Sequence, residues 1–401
     1  MTKTGLRVVI LGAGFGGLEV ASKLSEALGE GVDTTLVDRA ESFVFGFSKL
    51  DFMFGRTSAE RVQLAYADVA HPGVRMVRAE VVGIDPVAQT VALDSGETLE
   101  ADVLVVALGA DLDPSATPGL VEAGQEFYTV PGAIAARDAL DAFDGGRVVI
   151  AVTSTPFKCP PAPSETALLV HDFLTERGLR RRSSIDLVMP LPRPIPPSPL
   201  ASAAILAAFE ERGIGWHPGS LVRSLDPARR VAVLGDGEEI GFDLLLAVPK
   251  HLAPPVVVEA GLTEDGWIPV DPRTLRTKFP DVFAIGDVTS VGTPKAGVFS
   301  EGQAKVVAAQ IIARADGGTS DAEYGGQGIC YMEFGGGQVA KVDVTFLPGQ
   351  APFGGMDGPS LPNGVEKQRF GADRARRWFG RDWAPVEAGR QGPGEEFLAS
   401  E

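Results

Sequence analysis

Leu6-Arg7-Val8-Val9-Ile10-Leu11-Gly12-Ala13-Gly14-Phe15-Gly16-Gly17 decides the fold. Leu6 to Leu11 is an apolar run, the pattern of a strand buried on both faces of a parallel sheet. Gly12, Gly14 and Gly17 have the spacing G-x-G-x-x-G at the point where that strand passes into an Ala/Leu-rich helix reaching about Leu28. Glycine there allows a tight turn and lets a pyrophosphate come close to the helix N-terminus. Thr34 to Val37 is the next strand. Asp38 ends it, about 20 residues past the third glycine, where an acid meets ribose hydroxyls. The segment is a βαβ unit built for a dinucleotide.

Working outward, strands are expected at Val74 to Ile84, Thr90 to Leu93 and Thr98 to Leu99, followed by a buried strand from Ala101 to Gly109. Pro131 to Phe143 reads as a helix ended by Asp144-Gly145-Gly146. A second α/β unit starts with the strand Arg147 to Val152, with a helix at Ser164 to Arg177 and a strand at Ser184 to Met189. Pro190 to Pro199 is too proline-rich for anything but an extended loop. A helix follows at Leu200 to Arg212, then strands at Val231 to Leu234, Leu244 to Val248 and Val282 to Ile285, and a helix at Val298 to Arg314. Short strands (Ile329 to Phe334, Val339 to Phe346) and a glycine/proline-rich stretch from Pro348 to Gly364 lead to a basic, aromatic tail.

The second unit lacks the feature that defines the first. After Val152 comes Thr153-Ser154-Thr155-Pro156-Phe157-Lys158-Cys159-Pro160-Pro161-Ala162-Pro163-Ser164-Glu165. No glycine loop is present to cradle a second pyrophosphate, and proline has no N–H to offer one. A thiol locked between prolines stands there instead.

The chain has 401 residues, 44% of them hydrophobic, with 49 glycines and 30 prolines, enough for two or three domains with many tight turns. A net charge of −17 argues against nucleic acid or anionic lipid as a general partner. Two distant cysteines, Cys159 and Cys330, make no disulfide scaffold, and the four histidines are scattered, so no metal site is expected. No signal peptide and no apolar run of membrane-spanning length is visible. The expectation is a cytoplasmic protein, with 367–383 the one candidate for peripheral contact with the membrane face.

Leu104-Val105-Val106-Ala107-Leu108-Gly109-Ala110 and Val282-Phe283-Ala284-Ile285-Gly286-Asp287 resemble segments of flavoproteins with two dinucleotide-binding domains, the pyridine-nucleotide-disulfide reductase type. The Cys159 segment, Pro294-Lys295-Ala296-Gly297-Val298-Phe299, Glu301-Gly302-Gln303-Ala304 and Gly328-Ile329-Cys330-Tyr331 narrow the resemblance. They are similar to sulfide:quinone oxidoreductases and flavocytochrome c sulfide dehydrogenases. The resemblance implies an α/β fold of two tandem Rossmann-like domains plus a C-terminal region of short strands and an amphipathic tail. It divides the chain into 1–110 and 263–320 (FAD domain), 111–262 (second Rossmann-like domain) and 321–401 (acceptor or membrane-interface region).

It also implies FAD held by Gly12, Gly14, Gly17, Asp38, Arg39, Gly109, Gly286, Asp287, Lys295 and Gly297. Flavocytochromes attach FAD through a cysteine near Ser42, so the flavin is expected to be non-covalent here. Cys159 and Cys330 are implied as a redox-active pair over the flavin, opened by sulfide through a mixed disulfide. The bland alternative is two buried structural thiols. Glu165 matches a family carboxylate proposed as acid/base, and otherwise it is favourable charge at a helix N-terminus. Lys295 is implied to stabilise anionic reduced flavin. Lys158 is a candidate for lowering the thiol pKa.

The expected acceptor is quinone. The alternatives are a cytochrome, or a flavin-binding or redox-sensing relative without turnover. Two departures matter: the third cysteine common in sulfide:quinone oxidoreductases is missing, with Tyr128 in roughly its region, and no histidine stands near Met189 to Arg193. The tail Lys367 to Trp383 admits two readings, a membrane-interface helix or a strap docked on the protein's own acidic surface.

Overall fold

In the computed structural model, which describes residues 5–386, the expected two α/β units are both present. Residues 1–4 and 387–401 of the expected first and last segments lie outside the described residues. The first unit is a five-stranded parallel sheet in the order Val282–Ala284, Val103–Val106, Arg7–Leu11, Asp33–Asp38, Val74–Arg78. The second is also parallel, in the order Gln125–Glu126, Leu244–Val248, Gly146–Val152, Ser183–Met189, Ile214–Pro218. The chain thus leaves the first sheet after Val106, builds the second, and returns at Val282.

Both central strands are buried on both faces. Val8, Ile10 and Leu11 are fully covered, as are Val148 to Val152. Each such side chain contributes roughly 1.5–3 kcal/mol of apolar burial, which is why continuous rather than alternating runs mark them. Helix Phe15–Leu28 packs against helix Gly297–Ala315, so the glycine loop and the second FAD-type segment lie on one side of the first sheet.

Gly12 has φ +97°, and a β-carbon on it would lie 2.4 Å from the Ala107 oxygen. A β-carbon on Gly17 would lie 1.9 Å from the Gly12 oxygen. Both glycines are therefore dictated by close backbone packing.

Some elements differ from expectation. Val74 to Ile84 is two strands: Val74–Arg78 joins the parallel sheet, and Val81–Asp85 turns away to pair with Thr90–Leu93. Ser48–Met53, where no element is expected, is a helix. The stretch Pro348 to Gly364, expected to be irregular, contains a strand, Phe353–Ser360. That strand completes a three-stranded antiparallel sheet with Gln327–Gly335 and Gln338–Thr345. The following helix, Leu361–Phe379, starts inside the same stretch, with the Ser360 hydroxyl accepting from the Asn363 N–H. A glycine-rich edge strand carries little pattern of its own; pairing supplies what propensity lacks.

That helix settles where the tail goes. Trp378 is 0% exposed and sits edge-on against Phe15 of the glycine loop at 5.4 Å. Its indole N–H donates to Glu19 at 3.1 Å. Arg374 pairs with Glu301 at 2.7 Å, Arg377 with Glu26 at 3.1 Å and Arg381 with Asp68 at 2.9 Å. Trp383 packs on Phe45, with ring centres 4.9 Å apart. The aromatics and arginines offered for lipid are thus engaged within the protein, which is the strap alternative. Among the described residues no helix is long and apolar enough to cross a membrane.

Candidate active site

The loop after Gly146–Val152 runs from Thr153 to Pro161 and delivers the helix Ala162–Glu176. Two of its backbone donors, and two in the first turn of the helix, have carbonyl partners. Thr153 N donates to Val248 O, Cys159 N to Lys295 O at 2.7 Å, Ala162 N to Cys159 O and Glu165 N to Pro161 O. Cys159 itself has φ +49°, a left-handed conformation that a side chain disfavours. Around it, Tyr128 Oη donates to Lys158 O at 2.9 Å and Lys158 Nζ to Ala110 O at 3.0 Å. Lys158 and Lys295 form a parallel bridge between the two units.

Cys159 and Cys330 are both half-buried free thiols. They lie close enough that Cys330 opposes ionisation of Cys159. Burial first, then the Cys330 and Glu165 charges, push the Cys159 thiol far up. Burial and Glu165 push Cys330 up to about 12. The expectation that Lys158 lowers the Cys159 pKa fails: its ammonium is turned to Ala110, and burial dominates. Cys330 lines a cavity of about 510 Å³ walled by Pro156, Pro160, Pro194, Trp267 and Lys295.

Glu165 is 4% exposed and accepts from the Glu333 N–H at 2.9 Å. Burial pushes it up to about 7, against the pull of Lys367, whose ammonium is 3.6 Å away. Lys367 also donates to Glu333, which Arg56 grips, and Arg56 reaches Asp51 at 3.2 Å. Burial works against the Glu333 charge, yet Arg56 and Lys367 hold it well below the usual carboxylate range. Three carboxylates face two cations, so the network is one charge short of neutral when all are ionised, and a proton on Glu165 balances it.

Lys295 is buried, with Nζ donating to the carbonyls of Asp287 and Thr289 and lying 3.2 Å from the centre of the Trp267 ring. Burial pushes it down to about 8. Asp38 accepts from Ala13 N and Ala40 N, both at 2.8 Å, which fixes it beside the glycine loop. Arg39 is exposed and pairs with Glu80 and Asp111. Gly109 and Gly286 hold φ of +71° and +76°, and Gly297 opens the helix that follows Ala296.

These residues fit FAD. Asp287 Oδ1 is buried without a hydrogen-bond partner, and the space beside the Gly14 α-carbon is open. Neither helix at this place, Phe15–Leu28 or Gly297–Ala315, has a side-chain cap on its first N–H groups. A cofactor with a pyrophosphate and polar hydroxyls answers all of these. Gly12, Gly14, Gly17, Asp38 and Asp287 would hold it.

The sequence points to the two cysteines but not to their surroundings. His171 and His217 only meet Asp172 and Asp186. The histidine that is central is His251, buried, edge-on to Tyr128 at 5.5 Å, with Nδ1 on Pro249 O and Nε2 without a partner. Burial and then Lys158 push it down to about 3, so it is neutral. Arg56, Glu333 and Lys367 are likewise invisible as a group in the sequence, since residues that distant are joined by tertiary pairing alone. The available signal was Lys367 itself, a basic residue on the same helical stripe as the buried Gly371, Ala375 and Trp378.

Known proteins are similar over most of this length. Residues 6–310 match the pyridine nucleotide-disulphide oxidoreductase family. The chain is 24% identical over 365 residues to the mitochondrial sulfide:quinone oxidoreductase of Mus musculus, covering 86% of this chain and 80% of that one. It is 24% identical over 329 residues to the sulfide-quinone reductase of Aquifex aeolicus, covering 76% of each. The solved sulfide:quinone oxidoreductase from Aquifex aeolicus shares the fold with a TM-score of 0.81 at 21% identity, over 93% of this chain and 92% of that one. The chain belongs to the pyridine nucleotide-disulphide oxidoreductase family, as an oxidoreductase flavoprotein similar to sulfide:quinone oxidoreductases.

Proposed function

We propose that the protein oxidises sulfide, or a closely related small sulfur compound, at a Cys159/Cys330 pair and passes the electrons to a quinone. The observation that carries this reading is the meeting of Cys159 and Glu165 with Cys330, from two distant parts of the chain, within mutual electrostatic range. Bound FAD would supply a two-electron acceptor next to the thiols.

The chain's own part begins from the oxidised pair. Hydrosulfide attacks one sulfur, a new S–S bond forms and the Cys159–Cys330 bond breaks. One cysteine then carries a persulfide and the other leaves as thiolate, holding the electron pair that must be passed on. Glu165, near 7, is suited to take the proton released by the sulfur nucleophile. Lys367 and the Glu333 N–H hold that carboxylate in place. The prolines around the cavity make its wall largely apolar and offer no competing nucleophile. FAD is non-covalent on this reading, because Ser42 hydrogen-bonds to Gln63 where an attaching cysteine would stand.

Anaerobic titration tests it. Sulfide bleaches the yellow holoprotein and a soluble quinone restores the colour. A holoprotein that sulfide leaves oxidised overturns the reading.

A further inference from the structure

The buried charges around Glu165 have a second side that the sulfur chemistry leaves unused. The strand Gln327–Gly335 carries Cys330 and, three residues on, Glu333. An odd spacing along a strand sends two side chains to opposite faces. Cys330 lines the cavity of about 510 Å³, and Glu333 lines a different one, of about 410 Å³. The two cavities have no described lining residue in common. The strand is therefore a partition between them, and Glu165 is bonded to it through the Glu333 N–H.

Lys367 joins Glu165 to the second cavity. Its Nζ is 3.6 Å from Glu165 Oε1 and donates to Glu333, and the residue lines the cavity together with Arg56 and Asp51. The cavity has room for several water molecules. It reaches the surface at Glu176 and Arg369, which are exposed. Arg56 Nε and Trp383 Nε1, from two residues of its wall, are buried donors without a hydrogen-bond partner. Water in the cavity is the partner such donors call for.

Glu165 must lose its proton before each new turnover. The Cys330 cavity, with its largely apolar wall, offers no group to take it away. On the other side, burial works against the Lys367 charge, yet Glu333, Glu165 and Asp51 raise it above the ordinary lysine range. Lys367 thus stays an ammonium and releases a proton only as it receives another.

We propose that Lys367 is the proton relay of Glu165, carrying the proton taken from the sulfur nucleophile out to water in the second cavity. One Lys367 N–H bond breaks toward a cavity water, and a new N–H forms with the proton of the Glu165 carboxyl. Glu165 is left as a carboxylate, Lys367 is again an ammonium, and the extra proton on water passes to solvent. This rests on Glu165 being the proton acceptor of the proposed reaction.

The test follows Glu165 directly, without sulfide, because the relay must run equally in reverse. A photoacid takes a solution of the FAD-loaded full chain down through pH about 7, and time-resolved infrared spectroscopy records the C=O stretch of the newly protonated carboxyl. Glu165→Gln identifies the band by its loss. Lys367→Arg keeps the cation but cannot hand on a proton, since a guanidinium does not deprotonate in proteins. The band is expected to rise at least roughly tenfold more slowly in Lys367→Arg, and to recover with added imidazole, a small proton carrier. Ala372→Phe narrows the cavity without touching the charges and is expected to slow the band as well. It guards against a folding defect in Lys367→Arg, which FAD content reports independently. An unchanged rate in either variant, a slow rate in Lys367→Arg that imidazole leaves slow, or a wild type with no Glu165 band overturns the inference.

The outcome separates the two readings. If the band behaves as expected but sulfide gives no turnover, the relay stands and the sulfide reading fails. If sulfide turns over normally in Lys367→Arg with an unchanged band rate, only this inference fails.

Discussion

The N–H of Cys159 donates to the carbonyl of Lys295 across the boundary between the two sheets, at 2.7 Å. One residue belongs to the loop that follows the first long strand of the second unit; the other leads into the helix Gly297–Ala315 of the first. The bond holds Cys159 in its left-handed backbone, a conformation that costs a residue with a β-carbon on the order of 1 kcal/mol. Strain kept at this position by a contact between units fits a residue selected for where its sulfur points.

The same bond bears on reduced nicotinamides. The N–H groups of Thr153 and Cys159 in this loop, and of Ala162 where the helix opens, already have carbonyl partners, the prolines have no N–H, and no glycine is present to let the backbone approach a pyrophosphate. NADH and NADPH are expected to leave the flavin oxidised over minutes in anaerobic stopped-flow. Bleaching within seconds would show that the loop still admits a nicotinamide.

Glu165 predicts a pH dependence. Its folded pKa is raised to about 7, so it holds a proton below that pH and can accept one only above it. Sulfide turnover should therefore rise as pH increases through about 7, and Glu165→Gln should lose that inflection with a rate lower by roughly 10²–10⁴-fold. Any inflection owed to the substrate is common to both proteins and is recognised by its persistence. Lys367→Met should move the Glu165 inflection to higher pH, because the cation that favours the carboxylate is gone.

Much of the fold is legible in the residues. Leu6 to Gly17 and Asp38 announce the first unit, because parallel strands are continuous apolar runs and a phosphate loop needs glycine at set places. Flanking prolines alone mark Cys159 as unusual. Legibility ends where meaning depends on distant partners. Lys367 to Trp383 has a basic, aromatic composition that suits lipid and protein equally. The acids that claim it, Glu19, Glu26, Asp68 and Glu301, are scattered along the chain. Phe353–Ser360, half of it glycine or proline, is a strand because Gln338–Thr345 lies beside it.

The C-terminal strap gives a stability prediction. Trp378→Ala leaves a large hole against Phe15 and strips the buried Glu19 of its indole donor. A loss of about 3–5 kcal/mol is expected in denaturant melts. Because Phe15 belongs to the glycine loop, FAD retention should fall with it. Binding to anionic liposomes should be the same in wild type and variant; a selective loss of liposome binding with unchanged stability would return the helix to a membrane role.

For the cofactor, acid precipitation should release all FAD into the supernatant, since Ser42 offers no thioether. Asp287→Leu should weaken FAD binding on equilibrium dialysis, by roughly tenfold or more for the loss of one buried, charge-assisted hydrogen bond. Flavin remaining in the protein pellet would contradict the first expectation, and undiminished affinity the second.

The most direct test compares Cys159→Ser and Cys330→Ser with the wild type for sulfide-dependent quinone reduction, each protein confirmed to carry FAD. Serine replaces each thiol at nearly the same volume, so the fold and the flavin should persist. Each variant alone is expected to lose turnover by on the order of 10³-fold or more, because two residues acting as one unit fail together when either is removed. If either variant keeps more than about a tenth of wild-type turnover, the two-thiol centre is not the site of sulfide oxidation.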